Sequence, residues 1–305
     1  MIVHTLATPL FKTALANDRI SASCKTSSMG STKSISNLKA WISEVQDQSV
    51  ERSIEELKKL GFVCLDEKRD FASSRRCVGK IEGYPKKVAI YIPIHFDPNR
   101  QPSSLITHFH GHVVENEPFE KTLNRYHLGT ELHESGRNSL LIVPESTGKC
   151  DTYRQELSSV RALEQFHARV LETLKKTGLI PPEAAPETIT HEITGHSGAY
   201  WPIGNLLRES LDRNPPFRVG LFDATYCSST GQADSAQTNS STACRGIYDY
   251  ATRHPGFVKS YFLENTQTAE GSRRLIPEGD RIPLSTKHFN HFTVMNENYS
   301  DWLKN

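Results

Sequence analysis

Residues 192–200, Glu-Ile-Thr-Gly-His-Ser-Gly-Ala-Tyr, set Ser197 in a Gly-X-Ser-X-Gly pattern whose last glycine is replaced by Ala199. Thr188, Ile189, Thr190, Ile193 and Thr194 make the run before it strand-like. Trp201-Pro202-Ile203-Gly204 reads as the start of a helix, because proline suits the first helical turn. A serine on so sharp a strand-to-helix turn lifts its hydroxyl above the sheet edge. The helix N-terminus then lies beneath any negative charge that develops there. A serine hydroxyl is a poor nucleophile at neutral pH, so it needs a base in contact and donors for an oxyanion. The competing reading of the motif is a structural turn serine.

A second cluster offers different chemistry. His108, His110 and His112 alternate, which on a strand would put all three on one face and could ligate a metal. One short strand rarely wraps a metal alone, and no Asp or Glu lies within two residues of the cluster. A metal-dependent hydrolase built on these histidines is therefore kept as an alternative.

The elements that must position these residues follow from apolar spacing. Leu38, Trp41, Ile42 and Val45, continued by Val50, Ile54, Leu57 and Leu60, predict a helix that Gly61 stops. Residues 62–65 and 77–81 predict two antiparallel strands, and 87–93 a third. Short continuous apolar runs at 105–109, 139–143, 188–194, 218–222 and 257–263, separated by helical stretches, predict buried parallel strands. Residues 156–177 form the clearest amphipathic helix. Residues 1–37 read as a disordered leader or targeting segment, and 38–305 as one domain. Thr225 to Cys244 reads as a long polar loop, a cap over the cleft or an insertion. Glu145, and Ser135-Gly136-Arg137-Asn138 beside it, read as plain loop rather than pocket lining.

The serine turn after the third parallel strand, preceded by an antiparallel meander, resembles the nucleophile elbow of the α/β-hydrolase serine hydrolases, the superfamily of esterases, lipases and peptidases. The resemblance spans roughly residues 60–305 and implies an α/β fold, a mostly parallel doubly wound sheet with an antiparallel N-terminal meander. It also implies roles. Gly198, following the nucleophile, would give one oxyanion donor. Gly111 or His112, in the loop after the first parallel strand, would give the other. The base would be a late histidine. His291 is favoured over His288 because it stands nearer the final helix. The acid would be Asp223, ending the strand that follows the elbow helix. Glu264, one strand later, is its rival.

Composition narrows the partners. The chain has 305 residues, 36 basic and 35 acidic, for a net charge of +1, so nothing in its charge favours nucleic acid. No apolar run reaches the roughly 20 residues of a membrane span. A small molecule or peptide is the expected substrate, and no metal or organic cofactor is implied. None of the six cysteines forms a Cys-X-X-Cys pair, which argues against structural zinc. Cys64 with Cys77, and Cys227 with Cys244, are disulfide candidates that would fit an oxidising compartment, with unpaired thiols as the other reading. Ile2 to Phe11 is mildly apolar and Ala14-Leu15-Ala16 resembles a cleavage site, but Lys12 interrupts it and no basic residue precedes it. Location is thus left between cytoplasmic and secreted or periplasmic. The expected activity is cleavage of an ester or amide through an acyl-enzyme. A non-catalytic binding protein of the same fold is the second alternative.

Overall fold

The computed structural model describes residues 47–69, 72–114, 116–227 and 237–304, all within one compact unit, Trp41–Asn305. The expected leader at 1–37 lies outside the described residues. A helix over 47–59 (α1) ends before Gly61, whose φ is 87°. The strands are β1 (Val63–Arg69), β2 (Ala72–Lys80), β3 (Lys87–Pro93), β4 (Ser104–Phe109), β5 (Ser139–Pro144), β6 (Thr190–His196), β7 (Arg218–Phe222), β8 (Val258–Leu263) and β9 (Arg281–Leu284). Among the described residues they form one sheet in the order β1-β2-β3-β5-β4-β6-β7-β8-β9. The first three strands pair antiparallel, β3 joins β5 antiparallel, and all later neighbours are parallel.

The continuous apolar runs are explained by burial on both faces. Leu105, Phe109, Leu140, Ile142, Ile193 and Leu221 belong to one core. Ile106, Leu141, Val143, Phe222 and Tyr261 belong to the core on the other face. The first core is closed by α1, by α5 (Val160–Lys176) and by α6 (Tyr200–Glu209). The second is closed by α3 (Leu128–Glu134) and by the C-terminal α10 (Tyr299–Lys304), whose Trp302 is fully buried. The remaining helices are α2 (Phe119–Leu123), α4 (Asp151–Glu156), α7 (Gln237–Arg253), α8 (Gln267–Leu275) and α9 (Thr293–Asn296).

Two sequence expectations need correction, and one strand was not expected. Glu156 ends the separate helix α4, and the helix expected over 156–177 begins only at Val160, as α5. Ser159 caps α5 by accepting from the Ala162 N–H at 3.2 Å, so the chain turns before it. The segment expected to be a polar loop up to Cys244 is helical from Gln237. Its many Ser, Thr and Asn residues are weak helix formers, and packing overrides them. The ninth strand, Arg-Ile-Pro-Leu, is too short and proline-bearing to read as one, and an edge strand tolerates that proline.

Helices α6 and α7 cross at Gly204 and Gly246. A Cβ on Gly204 would lie 2.2 Å from the Ala243 carbonyl oxygen. Glycine to alanine inside a helix normally stabilises by about 1 kcal/mol. Here Gly204→Ala is expected to destabilise by about 2 kcal/mol, as overpacking does, measured as a lower denaturant midpoint. An unchanged or higher midpoint would show that the crossing is looser than this.

Both disulfide candidates are formed. Cys64 and Cys77 face each other across β1 and β2. Cys227 and Cys244 join the segment after β7 to α7. Cys150 is free and buried.

Candidate active site

Chain direction places the site before any side chain is considered. From β4 the chain passes to β5 on one side, and from β6 to β7 on the other. The loops at the carboxyl ends of β4 and β6 therefore diverge and open a crevice, the usual ligand position in open α/β sheets. Ser197 stands at the end of β6 with φ 55°, a left-handed conformation that costs a residue with a Cβ of order 1 kcal/mol. Its neighbours explain why it is tolerated. A Cβ on Gly195 would fall 2.3 Å from Ile203 of α6, and one on Gly111 would fall 2.7 Å from the Ser197 Cβ. Gly195 and Gly111 thus let strand, helix and the β4 loop close on the serine.

Asp223 follows β7 and also has positive φ, 46°. Its carboxylate accepts from His291 Nδ1 at 2.5 Å, while its other oxygen takes a short bond from the Thr268 hydroxyl and a long one from the Leu263 N–H, at 3.4 Å. Burial alone would raise its pKa, but the bonds from His291 and Thr268 outweigh that and leave it below the ordinary aspartate value. The carboxylate is therefore ionised at neutral pH, as a group that orients a histidine must be. Glu264 ends β8, where its N–H serves the Leu284 carbonyl, and His288 is exposed. The structure brings together Ser197, Asp223 and His291 at one sheet edge, and it gives the Asp223 carboxylate to His291.

This strand order, with a left-handed serine between β6 and α6 and an acid after the next strand, decides the architecture. The fold is that of the α/β-hydrolases. No protein-family model matches the chain, and no curated protein matches it in sequence. Solved structures similar to this chain include an S-formylglutathione hydrolase from Agrobacterium tumefaciens, at 12% identity and TM-score 0.46, covering 80% of this chain and 97% of that one. A feruloyl esterase module from Clostridium thermocellum matches at 13% identity and TM-score 0.46, over 80% and 87%. A cold-adapted esterase from an Arctic intertidal metagenomic library matches at 13% and 0.41, over 79% and 96%. The fold assignment rests on the strand order and the serine turn, not on these distant likenesses.

The histidine cluster is not a single strand face, because β4 ends at Phe109 and His110 and His112 lie beyond it. His108 is buried and shares a hydrogen bond with Thr194 at 3.0 Å. His112 lies over Gly198, where a Cβ would meet its ring at 2.3 Å. His110 takes the Ser146 N–H on Nε2 at 3.0 Å, so the proton must sit on Nδ1, which donates to the Gly111 carbonyl at 2.8 Å. Burial holds His110 neutral, with a pKa lowered to about 4. In a trans peptide the N–H points opposite to the C=O. Pinning the Gly111 carbonyl on His110 therefore turns the His112 N–H the other way. Among the described residues no group of three His, Cys, Asp or Glu could hold a metal.

A second histidine network went unread in the sequence. His196, the variable residue of the serine motif, donates from Nε2 to the His291 carbonyl at 2.6 Å. Its Nδ1 must then accept, and the Tyr126 hydroxyl lies 3.1 Å away to donate. Burial, then the neighbouring His291, hold His196 down at about 3, which preserves this tautomer. One neutral ring thus ties Tyr126, which precedes α3, to the His291 loop. Nothing in the local sequence signals this network, since Tyr126 is 70 residues from His196.

The segments read as plain loop serve structure. Glu145 accepts from the Lys87 N–H at 2.9 Å, and Arg137 pairs with the buried Glu192 on β6.

Proposed function

We propose that this protein is a serine hydrolase that cleaves an ester or amide of a small molecule or peptide through an acyl-enzyme. The contact that carries the reading is His291 Nδ1 to Asp223 Oδ2 at 2.5 Å, made beside a serine held at φ 55°. Asp223 fixes the imidazole so that Nε2 is the free basic nitrogen. Ser197 Oγ attacks the carbonyl carbon while His291 takes its proton, and the N–H groups of Gly198 and His112 receive the oxyanion. The imidazolium returns the proton to the leaving group. Water then repeats the sequence on the acyl-enzyme.

The test separates the two candidate acids. Asp223→Asn is expected to keep the fold and lower turnover of a short acyl ester by up to about 10⁴-fold, because the imidazole loses its correct tautomer. Glu264→Gln is expected to stay within about threefold of the parent, because His291 takes its carboxylate partner from Asp223. Steady-state rates on matched esters and peptide amides, with circular dichroism as the fold control, read both. Full activity in Asp223→Asn with loss in Glu264→Gln would move the acid to β8.

A further inference from the structure

The serine has a neighbour that the triad does not use. Tyr226 lies three residues beyond Asp223, with its phenol close enough to the Ser197 side chain to interact with it. It comes from the β7 side of β6, whereas the oxyanion loop with Gly111 and His112 comes from the β4 side. Its ring centroid is 6.3 Å from His291 and 6.1 Å from Tyr200. Tyr226 therefore stands beside the base and across the serine from the oxyanion donors.

Its backbone is held from both directions. The preceding Thr225 donates to the Thr268 carbonyl at 2.8 Å and shares a hydrogen bond with Ser272 at 2.6 Å, both on α8. That helix can approach because residue 271 is glycine, where a Cβ would fall 1.8 Å from the Thr225 carbonyl oxygen. The following Cys227 is bonded to Cys244 of α7. Two helices and a disulfide thus deliver a half-buried phenol to the nucleophile.

We propose that Tyr226 is a further catalytic residue, whose phenol donates a hydrogen bond to the leaving-group oxygen as the tetrahedral intermediate collapses. This rests on the serine hydrolase reading above. The leaving oxygen must sit next to His291 Nε2 to receive a proton, which puts it on the Tyr226 side of the serine. In the step itself the bond from carbon to leaving oxygen breaks and its electron pair moves to that oxygen. The carbonyl reforms from the oxyanion, and the His291 Nε2 proton passes to the leaving oxygen. Tyr226 keeps its proton throughout and only offsets charge. Burial, and then the Asp223 carboxylate, raise its pKa above the usual phenol value, so it remains a donor at neutral pH.

The measurement is kcat/KM of Tyr226→Phe on esters of one acyl group with leaving groups from p-nitrophenol to ethanol. Loss of a donor to developing charge is worth about 10²-fold. The variant is expected to lose about that much on the ethyl ester and less than about threefold on the nitrophenyl ester, whose leaving oxygen needs little help. Its dependence on leaving-group basicity should steepen. The rate at which a fluorophosphonate labels Ser197 should be nearly unchanged, because fluoride departs without assistance. An equal loss on all esters would assign Tyr226 a structural role and overturn the proposal, as would no loss on any. If the parent protein neither turns over esters nor takes the label, the serine hydrolase reading itself falls. Phenylalanine preserves the ring, and thermal unfolding checks that the fold is kept.

Discussion

Ser197→Ala is expected to lower turnover of the protein's best ester by at least about 10³-fold, because nucleophile, base and acid act as a unit. Labelling by a fluorophosphonate should vanish with it, and peptide mapping of the labelled parent should find Ser197 alone. The substitution should leave stability nearly unchanged, since alanine shares the cost of φ 55° with serine. Ser197→Gly makes the sharper test. Glycine adopts this conformation freely, so the variant should be as inactive as the alanine one yet gain about 1 kcal/mol of stability. Opposite signs on activity and stability at one residue are the mark of a backbone strained for chemistry. A label on another serine, or an active Ser197→Gly, would end the assignment.

The second large effect is acid sensitivity. His108, His110, His167 and His196 are all buried, and burial first of all lowers the pKa of each. His196 falls to about 3 and His110 to about 4, with the other two well below 6.5. In the unfolded chain all four titrate near 6.5. Between about pH 6.5 and 4 the unfolded state therefore binds more protons than the folded one, and stability falls as pH falls. Each such histidine costs about 1.4 kcal/mol per pH unit in that window, so His110 and His196 alone remove about 3 kcal/mol by pH 5.5, with His108 and His167 acting in the same direction. That is a large part of the whole stability of a typical domain. Asp223 acts in a lower window. Its contribution is complete above the unfolded aspartate value and lost only as pH falls through its depressed folded value. Denaturant unfolding at pH 8 and pH 5.5 measures the difference. A loss below about 1 kcal/mol would mean that the four rings are protonated in the folded protein or reached by solvent.

What could be read from residues alone was local or periodic. Thr190 to His196 extends because β-branched residues suit a strand, and Pro202 suits the helix start, so Ser197 had to lie on the turn between them. The parallel runs could be read because burial on both faces makes them continuously apolar, and two antiparallel strands made Cys64 with Cys77 a disulfide candidate beside the unpaired reading. The choice of Asp223 over Glu264 was also open to sequence reasoning, since a right-handed crossover from the elbow helix puts the next strand beside β6. The rest was set by contacts between distant segments. Helix α7 forms despite its polar composition because Gly204 and Gly246 let it lie against α6. The 2.5 Å contact of Asp223 with His291 joins residues 68 apart. His196 and Tyr126 become one link only because β4 and β6 are neighbours, and His110 turns from a candidate metal ligand into a pin for Gly111 because the strand stops one residue before it. Tyr226 fell within the polar stretch from Thr225 to Cys244, which gave it no role. Its place at the serine depends on α8 packing at Gly271 and on Cys244 arriving from another helix. Periodicity and turn chemistry specify elements and their ends. Which side chains meet above the sheet edge is determined by strand order and by close approaches at glycine, and neither is a property of any short stretch of sequence.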